Sequence, residues 1–308
     1  MEPHSDEVRG ELERVATWLL DRDLDGQRTA AVLRESIDQV LDGPRTGRFR
    51  YEDLRKTEKT HVGTIVEINL GKEFDLADGD TTDYRIAGIE VDCKYSMRLG
   101  GWELPLESLG HIVLLLWADD AQGCWSAGLW RVDEAHLSGQ GNRDRKRKMS
   151  RAGQDQIRWL WQRWPLEENL LLHLPAEELE AIFRHGGGQQ RINELFRLVQ
   201  GRIVRREVVL TVARQKDGPK RARDARLPRH LGREGIIVLG HDAAEVAVAE
   251  HLGLATPIKG EWIAVRVTPV DETSTRRKFK ADGGWWATAE DDEESPAAPT
   301  ILRPRSLE

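Results

Sequence analysis

Four side chains in the first third of the chain carry the chemistry that stands out. In the segment TDYRIAGIEVDCKYS, Asp83 precedes Asp92, and Lys94 follows just past Cys93, a D-x8-D-x-K pattern. Strand alternation puts Asp92 and Lys94 on one face and Val91 and Cys93 on the other, so a carboxylate and an ammonium flank one spot. If Asp83 approaches from a neighbouring strand or turn, two carboxylates can hold a hard divalent cation, Mg²⁺ above all, which places a water and stabilises a phosphate oxyanion. Lys94 would orient or deprotonate that water. Glu67, set in the apolar stretch VGTIVEINL, is a third carboxylate that would complete the coordination or raise the basicity of the water. The same pattern also arises by chance, with Asp92 and Lys94 as a surface ion pair on a partly exposed strand. Other chemistries lack residues. No H-E-x-x-H or G-x-x-x-x-G-K-[ST] occurs, so neither a zincin nor ATP-driven action has support. Cys93 and Cys124, the only thiols, read as packed or unpartnered cysteines in a reducing compartment, and the cytoplasm is the expected location.

The elements that must position these residues follow from periodicity. Val8–Leu20 and Thr29–Leu41 read as helices, the second stopped by Asp42-Gly43-Pro44. The Glu67 segment fits either a helix or a strand, with Val62, Ile65, Val66, Asn69 and Leu70 at helical spacing. DYRIAGIEVDCKYS, HIVLLLWA and CWSAGLWRV read as strands, with a hairpin turn at Gly88 and a central, doubly covered strand at Ile112–Trp117. RAGQDQIRWLWQRW reads as a helix before Pro165, its Trp159, Trp161 and Trp164 being core or dimer packing. No apolar run nears the roughly 20 residues that cross a membrane.

Charge divides the chain again. Its 308 residues carry a formal net charge of −7, yet residues 175–280 hold 20 basic against 14 acidic side chains. The deficit therefore lies elsewhere, partly in Glu290, Asp291, Asp292, Glu293 and Glu294. Basic residues gather in two runs: Arg143, Arg145, Lys146, Arg147 and Lys148 in the first, and Lys220, Arg221, Arg223, Arg226 and Arg229 in the second. Either run is a solvated surface loop or a stretch that contacts phosphates. Helices are expected at Ala176–His185 and Gln189–Gln200, helix or strand at Arg206–Gln215, then a strand GIIVLG, a helix Asp242–Leu252 and a strand EWIAVRVTPV. That is the outline of a winged helix-turn-helix domain, with Pro219–His230 as its recognition helix. The expected division is 1–165 as a catalytic domain, 166–174 as linker, 175–286 as a DNA-binding domain and 287–308 as an acidic tail without order.

The stretch from Arg28 to Phe74, together with DYRIAGIEVDCKYS and LLLWADDAQGCWSAGLWRV, resembles the NaeI family of type IIE restriction endonucleases over most of the chain. The resemblance implies a restriction-endonuclease-like α/β domain, a mixed sheet with flanking helices of the PD-(D/E)xK superfamily related to the nicking enzyme MutH, plus a C-terminal winged-helix domain that binds a second copy of the target and activates cutting. It places the active site on Glu67, Asp83, Asp92 and Lys94, the four that side-chain chemistry selects. The proline usual before the first aspartate is Thr82 here. Leu41-Asp42-Gly43 matches a family stretch reminiscent of a DNA ligase site, but leucine stands where the ligase lysine would, so no ligase chemistry follows. The implied activity is Mg²⁺-dependent cutting of double-stranded DNA at a palindrome, GCCGGC to blunt ends if specificity is retained. A palindrome implies a homodimer that engages two target sites. A strand-specific nicking enzyme and a regulator with a vestigial nuclease fold are the alternatives.

Overall fold

The computed structural model describes residues 3–139 and 146–301, with side chains from Gly10 onward. The chain divides into two compact units, residues 1–41 with 50–169, and residues 42–49 with 170–308. The division expected at 165–175 is therefore incomplete, because a short piece of the N-terminal sequence belongs to the second unit.

In the first unit, helices α1 (Pro3–Arg22), α2 (Gln27–Leu41) and α4 (Lys56–Phe74) accompany a six-stranded sheet; the one-turn α3 (Gly43–Thr46) lies in the other unit. The sheet order is β1 (Ala77–Asp78), β2 (Tyr84–Ile86), β3 (Ile89–Ser96), β5 (Ile112–Asp119), β6 (Cys124–Arg131) and β9 (Arg158–Pro165). Only the β3–β5 pairing is parallel, so the sheet is mixed. Strand β5 decides the layering. Its Ile112, Leu114 and Leu116 join the core formed with α1, α2 and α4, whereas Val113, Leu115 and Trp117 join a second core with Trp102 and Trp130 on the opposite face. This is the doubly covered strand that the continuous apolar run implies. That second core is shared with a small three-stranded sheet of β4 (Glu103–Leu104), β8 (Arg147–Met149) and β7 (Leu137–Ser138).

The ambiguous Glu67 segment is helix α4, whose Val62, Val66 and Leu70 bury one stripe. RAGQDQIRWLWQRW is not a helix beyond α5 (Arg151–Gln154); from Arg158 it is strand β9, paired antiparallel to β6. Ile157, Trp159 and Trp161 alternate as well as they fit a helical turn, and the unpaired edge of β6 takes the alternation. The turn between β2 and β3 is Ala87-Gly88, both with positive φ, as a two-residue hairpin of the I′ type requires.

In the second unit, α6 (Ala176–Phe183), α7 (Gly188–Leu198), α8 (Arg206–Ala213) and α9 (Gly218–Ala225) precede α10 (Ala243–Leu252). The strands β10 (Ile203–Arg205), β12 (Glu261–Val270), β14 (Gly284–Thr288) and β13 (Lys278–Ala281) lie in that order, and β11 (Ile236–Leu239) also pairs with β12. Buried Arg191 of α7 donates to the carbonyls of His185, Gly186, Val212 and Ala213, binding the ends of α6 and α8 together. Helix α3 packs on α8, where Gly43 leaves room for Thr211, and Phe49 stacks on Phe183. The expected disordered tail is ordered through Ile301. Arg266 donates to the Glu290 and Glu293 carbonyls, Arg276 pairs with Glu293, and Ala298 and Ile301 pack on a core shared by β11, β12 and α10. Acidic composition alone missed the apolar residues that follow it. Among the described residues no helix is long and apolar enough to cross a membrane.

Candidate active site

Strand β3 runs beside the central β5, and its alternation is the one expected. Val91 and Cys93 enter the core under the helices, and Asp92 and Lys94 share the opposite direction, each in register with a β5 residue of the second core, Val113 and Leu115. Asp92 is 7% exposed. Lys94 Nζ donates to Asp92 Oδ1 at 2.6 Å and to the Cys93 carbonyl at 2.9 Å, and it lies 3.6 Å from Asp83 Oδ2. Asp83, just before β2, accepts the Cys93 N–H at 2.7 Å. The hairpin thus brings Asp83, Asp92 and Lys94 together. This is not the free surface ion pair of the bland alternative, since a buried carboxylate and a second carboxylate share one ammonium.

The electrostatics follow from that crowding. Burial, then hydrogen bonding with Asp92, pushes Asp83 up to about 6. Burial also works against the Asp92 anion, but hydrogen bonds with Asp83, Lys94 and Ser108 together hold it below the usual carboxylate range. The two carboxylates titrate as a pair in which Asp83 takes the proton. Burial disfavours the Lys94 ammonium, yet Asp92 and Asp83 keep it above its ordinary value. Glu67 projects from α4 near enough to sense both Lys94 and Asp92, and burial raises it. Its helix is fixed to the hairpin by Tyr84, whose hydroxyl donates to the Glu67 carbonyl at 2.6 Å.

Among the described residues no three His, Cys, Asp or Glu side chains form a group that could hold a metal ion. Glu67, expected as the third carboxylate, lies near enough to sense Asp92 and Lys94 but is not grouped with Asp83 and Asp92 there. What remains is an oxygen donor pair, Asp83 and Asp92, around the spot filled by the Lys94 ammonium. That chemistry fits Mg²⁺, which commonly takes one or two carboxylates and keeps several waters, and a cation there would offset the burial that raises Asp83.

The structure also supplies partners that spacing did not reveal. Ser108 donates to Asp92 Oδ2 at 2.7 Å. Nothing in the run PLESLG marks that serine, because it reaches Asp92 from a short loop with no periodic pattern. Tyr84 was legible only as a strand residue.

The basic residues separate into kinds. Arg143 and Arg145 lie outside the described residues. Arg147 is turned inward, donating to the Leu137 carbonyl and pairing with Glu134. Lys146 and Lys148 are exposed. The expected recognition helix 219–230 is helical only as α9, ending at Ala225, since Pro228 disfavours helix at the residue before it. Ala222 and Ala225 face the core; Lys220 pairs with Asp224 and Arg221 with Asp217 along the helix, and Arg223 and Arg229 are exposed. Arg226, expected as a phosphate contact, pairs with Glu245, itself 2% exposed.

The mixed α/β unit fits a restriction-endonuclease-like fold, and the model of the family "Restriction endonuclease NaeI" matches residues 13–296. The chain is 48% identical over 301 residues to the type II restriction enzyme NaeI of Lentzea aerocolonigenes, covering 95% of each chain. It belongs to the NaeI family of restriction endonucleases, type II site-specific deoxyribonucleases. A shorter similarity, 32% over 120 residues, is to a phosphoglucosamine mutase of Jannaschia sp. (strain CCS1), covering 38% of this chain and 27% of that one.

Proposed function

We propose that this protein hydrolyses both strands of a palindromic DNA site in a Mg²⁺-dependent reaction at Glu67, Asp83, Asp92 and Lys94. The observation that carries the reading is Lys94 held 2.6 Å from Asp92 and 3.6 Å from Asp83. Asp83 and Asp92 would hold the ion. When bound, Mg²⁺ supplies Lewis-acid polarisation of the phosphate and a more acidic water. Lys94 is placed to donate to a non-bridging phosphate oxygen or to the attacking water as negative charge develops. Glu67, raised by burial, is suited to accept the proton that the water loses.

The second unit reads as a winged-helix DNA-binding domain, supported by helices α6, α7, α8 and α9 sharing a core with the antiparallel strands β11 and β12. The exposed Arg223 and Arg229, with Lys220 and Arg221, and the exposed Lys146 and Lys148 of the first unit, would contact the phosphate backbone and set register. A homodimer would offer one active site to each strand, and a second bound target would stimulate cutting. The family resemblance makes GCCGGC the first target to try.

Supercoiled plasmid bearing that site, incubated with Mg²⁺, should give discrete linear fragments. Open circles alone would mark a nicking enzyme, and unchanged DNA a binding protein. Asp92→Ala and Lys94→Ala should both be inactive, and wild-type cutting by either would remove the assignment. A fragment with one target, with and without a target-bearing oligonucleotide, tests second-site activation.

A further inference from the structure

We propose that Ser108 is a positioning residue for Asp92: its hydroxyl, donated to Asp92 Oδ2, fixes the carboxylate in the one orientation that can hold the divalent ion. This rests on the reading of Asp92 as a metal-holding carboxylate.

Three observations carry it. Ser108 is 2% exposed, and its hydroxyl donates to Asp92 Oδ2 at 2.7 Å. The other oxygen of Asp92 is taken by Lys94 at 2.6 Å, so the two partners grip the carboxylate from both sides and leave it one orientation. The loop itself is fixed, because the Ser108 N–H donates to the Pro105 carbonyl and its own carbonyl accepts the His111 N–H, each at 3.1 Å, immediately before β5. A hydroxyl held this way lies in the same layer as the face of β3 that carries Asp92 and Lys94, not in the layer under the helices.

The chemistry is that of an outer partner to a metal ligand. A carboxylate free to rotate offers an ion an average over orientations. One whose second oxygen is hydrogen-bonded presents the first in a fixed direction and loses less freedom on binding. Removing such a partner commonly lowers metal affinity or activity roughly 10- to 100-fold. Ser108 would touch neither water nor phosphate, so DNA binding in the absence of metal should be unaffected.

The test measures Mn²⁺ binding to the full-length protein by electron paramagnetic resonance of the free ion, with thermal unfolding on the same samples. Ser108→Ala should raise the Mn²⁺ dissociation constant roughly tenfold or more, with metal-free binding to target DNA at the wild-type level. Ser108→Thr, which keeps the hydroxyl, should return the constant toward the wild-type value. Ser108→Cys, close in volume but a poor donor, should behave as Ser108→Ala and covers the case in which alanine unfolds the loop. If the alanine and cysteine variants bind Mn²⁺ as tightly as wild type, whatever their melting temperature, the serine only stabilises the fold and the positioning role is wrong. If Asp92→Ala binds Mn²⁺ as tightly as wild type, the failure lies with the reading of Asp92 itself.

Discussion

Replacing Asp83 with asparagine should make the metal-free protein more stable, although the residue belongs to the proposed active site. The reason is the cost of its ionised form. In the folded chain Asp83 rises from 3.8 to about 6, through burial and the neighbouring Asp92. At about 1.36 kcal/mol per pH unit, keeping that half-buried carboxylate ionised costs the folded protein at most about 3 kcal/mol, and solvent screening lowers this. The sign is fixed by linkage. A carboxyl group whose folded value lies above its unfolded value contributes stability that is fully present below about 4 and is lost as pH rises through about 6. Asparagine keeps the shape without the charge, so it relieves the penalty at high pH only. Because Asp92 shares the titration, relief is partial, and about 1–2 kcal/mol is expected at pH 8. For a unit of this size that is an upward shift of about 2–8 °C. Thermal unfolding in EDTA at pH 8 and pH 5 would show the gap wide at the first and narrowed at the second. Mg²⁺ should then raise the melting temperature of the wild type but not of the variant. An Asp83→Asn protein that melts below wild type at pH 8, or by a margin equal at both pH values, would refute the reasoning.

Other outcomes follow from single contacts. Arg34 is 1% exposed and pairs with Asp38 and Asp120, so Arg34→Met should leave both carboxylates without their cation and cost about 3–5 kcal/mol in denaturant titration. Tyr84→Phe removes the hydroxyl that bonds the Glu67 carbonyl and meets the Cys93 thiol; it should cost about 1 kcal/mol and lower plasmid cleavage while DNA binding is kept. Arg223→Ala and Arg229→Ala should each reduce the salt dependence of DNA binding by about one unit of slope, whereas Arg226→Ala should lower the melting temperature through Glu245. A Cβ on Gly43 would run into the Thr211 hydroxyl, so Gly43→Ala should destabilise by about 1–3 kcal/mol, with partial recovery in Gly43→Ala/Thr211→Ala.

Much of the catalytic unit was legible because alternation is a strong signal where one face is buried. Val91 and Cys93 against Asp92 and Lys94, and the two-sided Ile112–Trp117 run, needed only a period of two. The Trp159 segment failed because tryptophans three or two apart satisfy both periods over so short a stretch, and the open edge of β6 decided between them. Glu67 was legible as a candidate residue but its distance from the strand carboxylates was not, since helix position does not record it. Ser108, Arg226 and the ordered 290–301 segment depend on partners far away in sequence, and neither spacing nor composition records those.

Residues 42–49 bear on how the two units could ever be taken apart. The chain passes between the units three times, after Leu41, after Phe49 and after Asn169, so proteolytic nicking at the last junction gives two fragments, the first of which still carries residues 42–49 of the second unit. A fragment that starts at Leu170 would lack Gly43 against Thr211 and Phe49 against Phe183, leaving an apolar scar on α8 and α6. A gene cut at the linear boundary therefore yields an incomplete second unit.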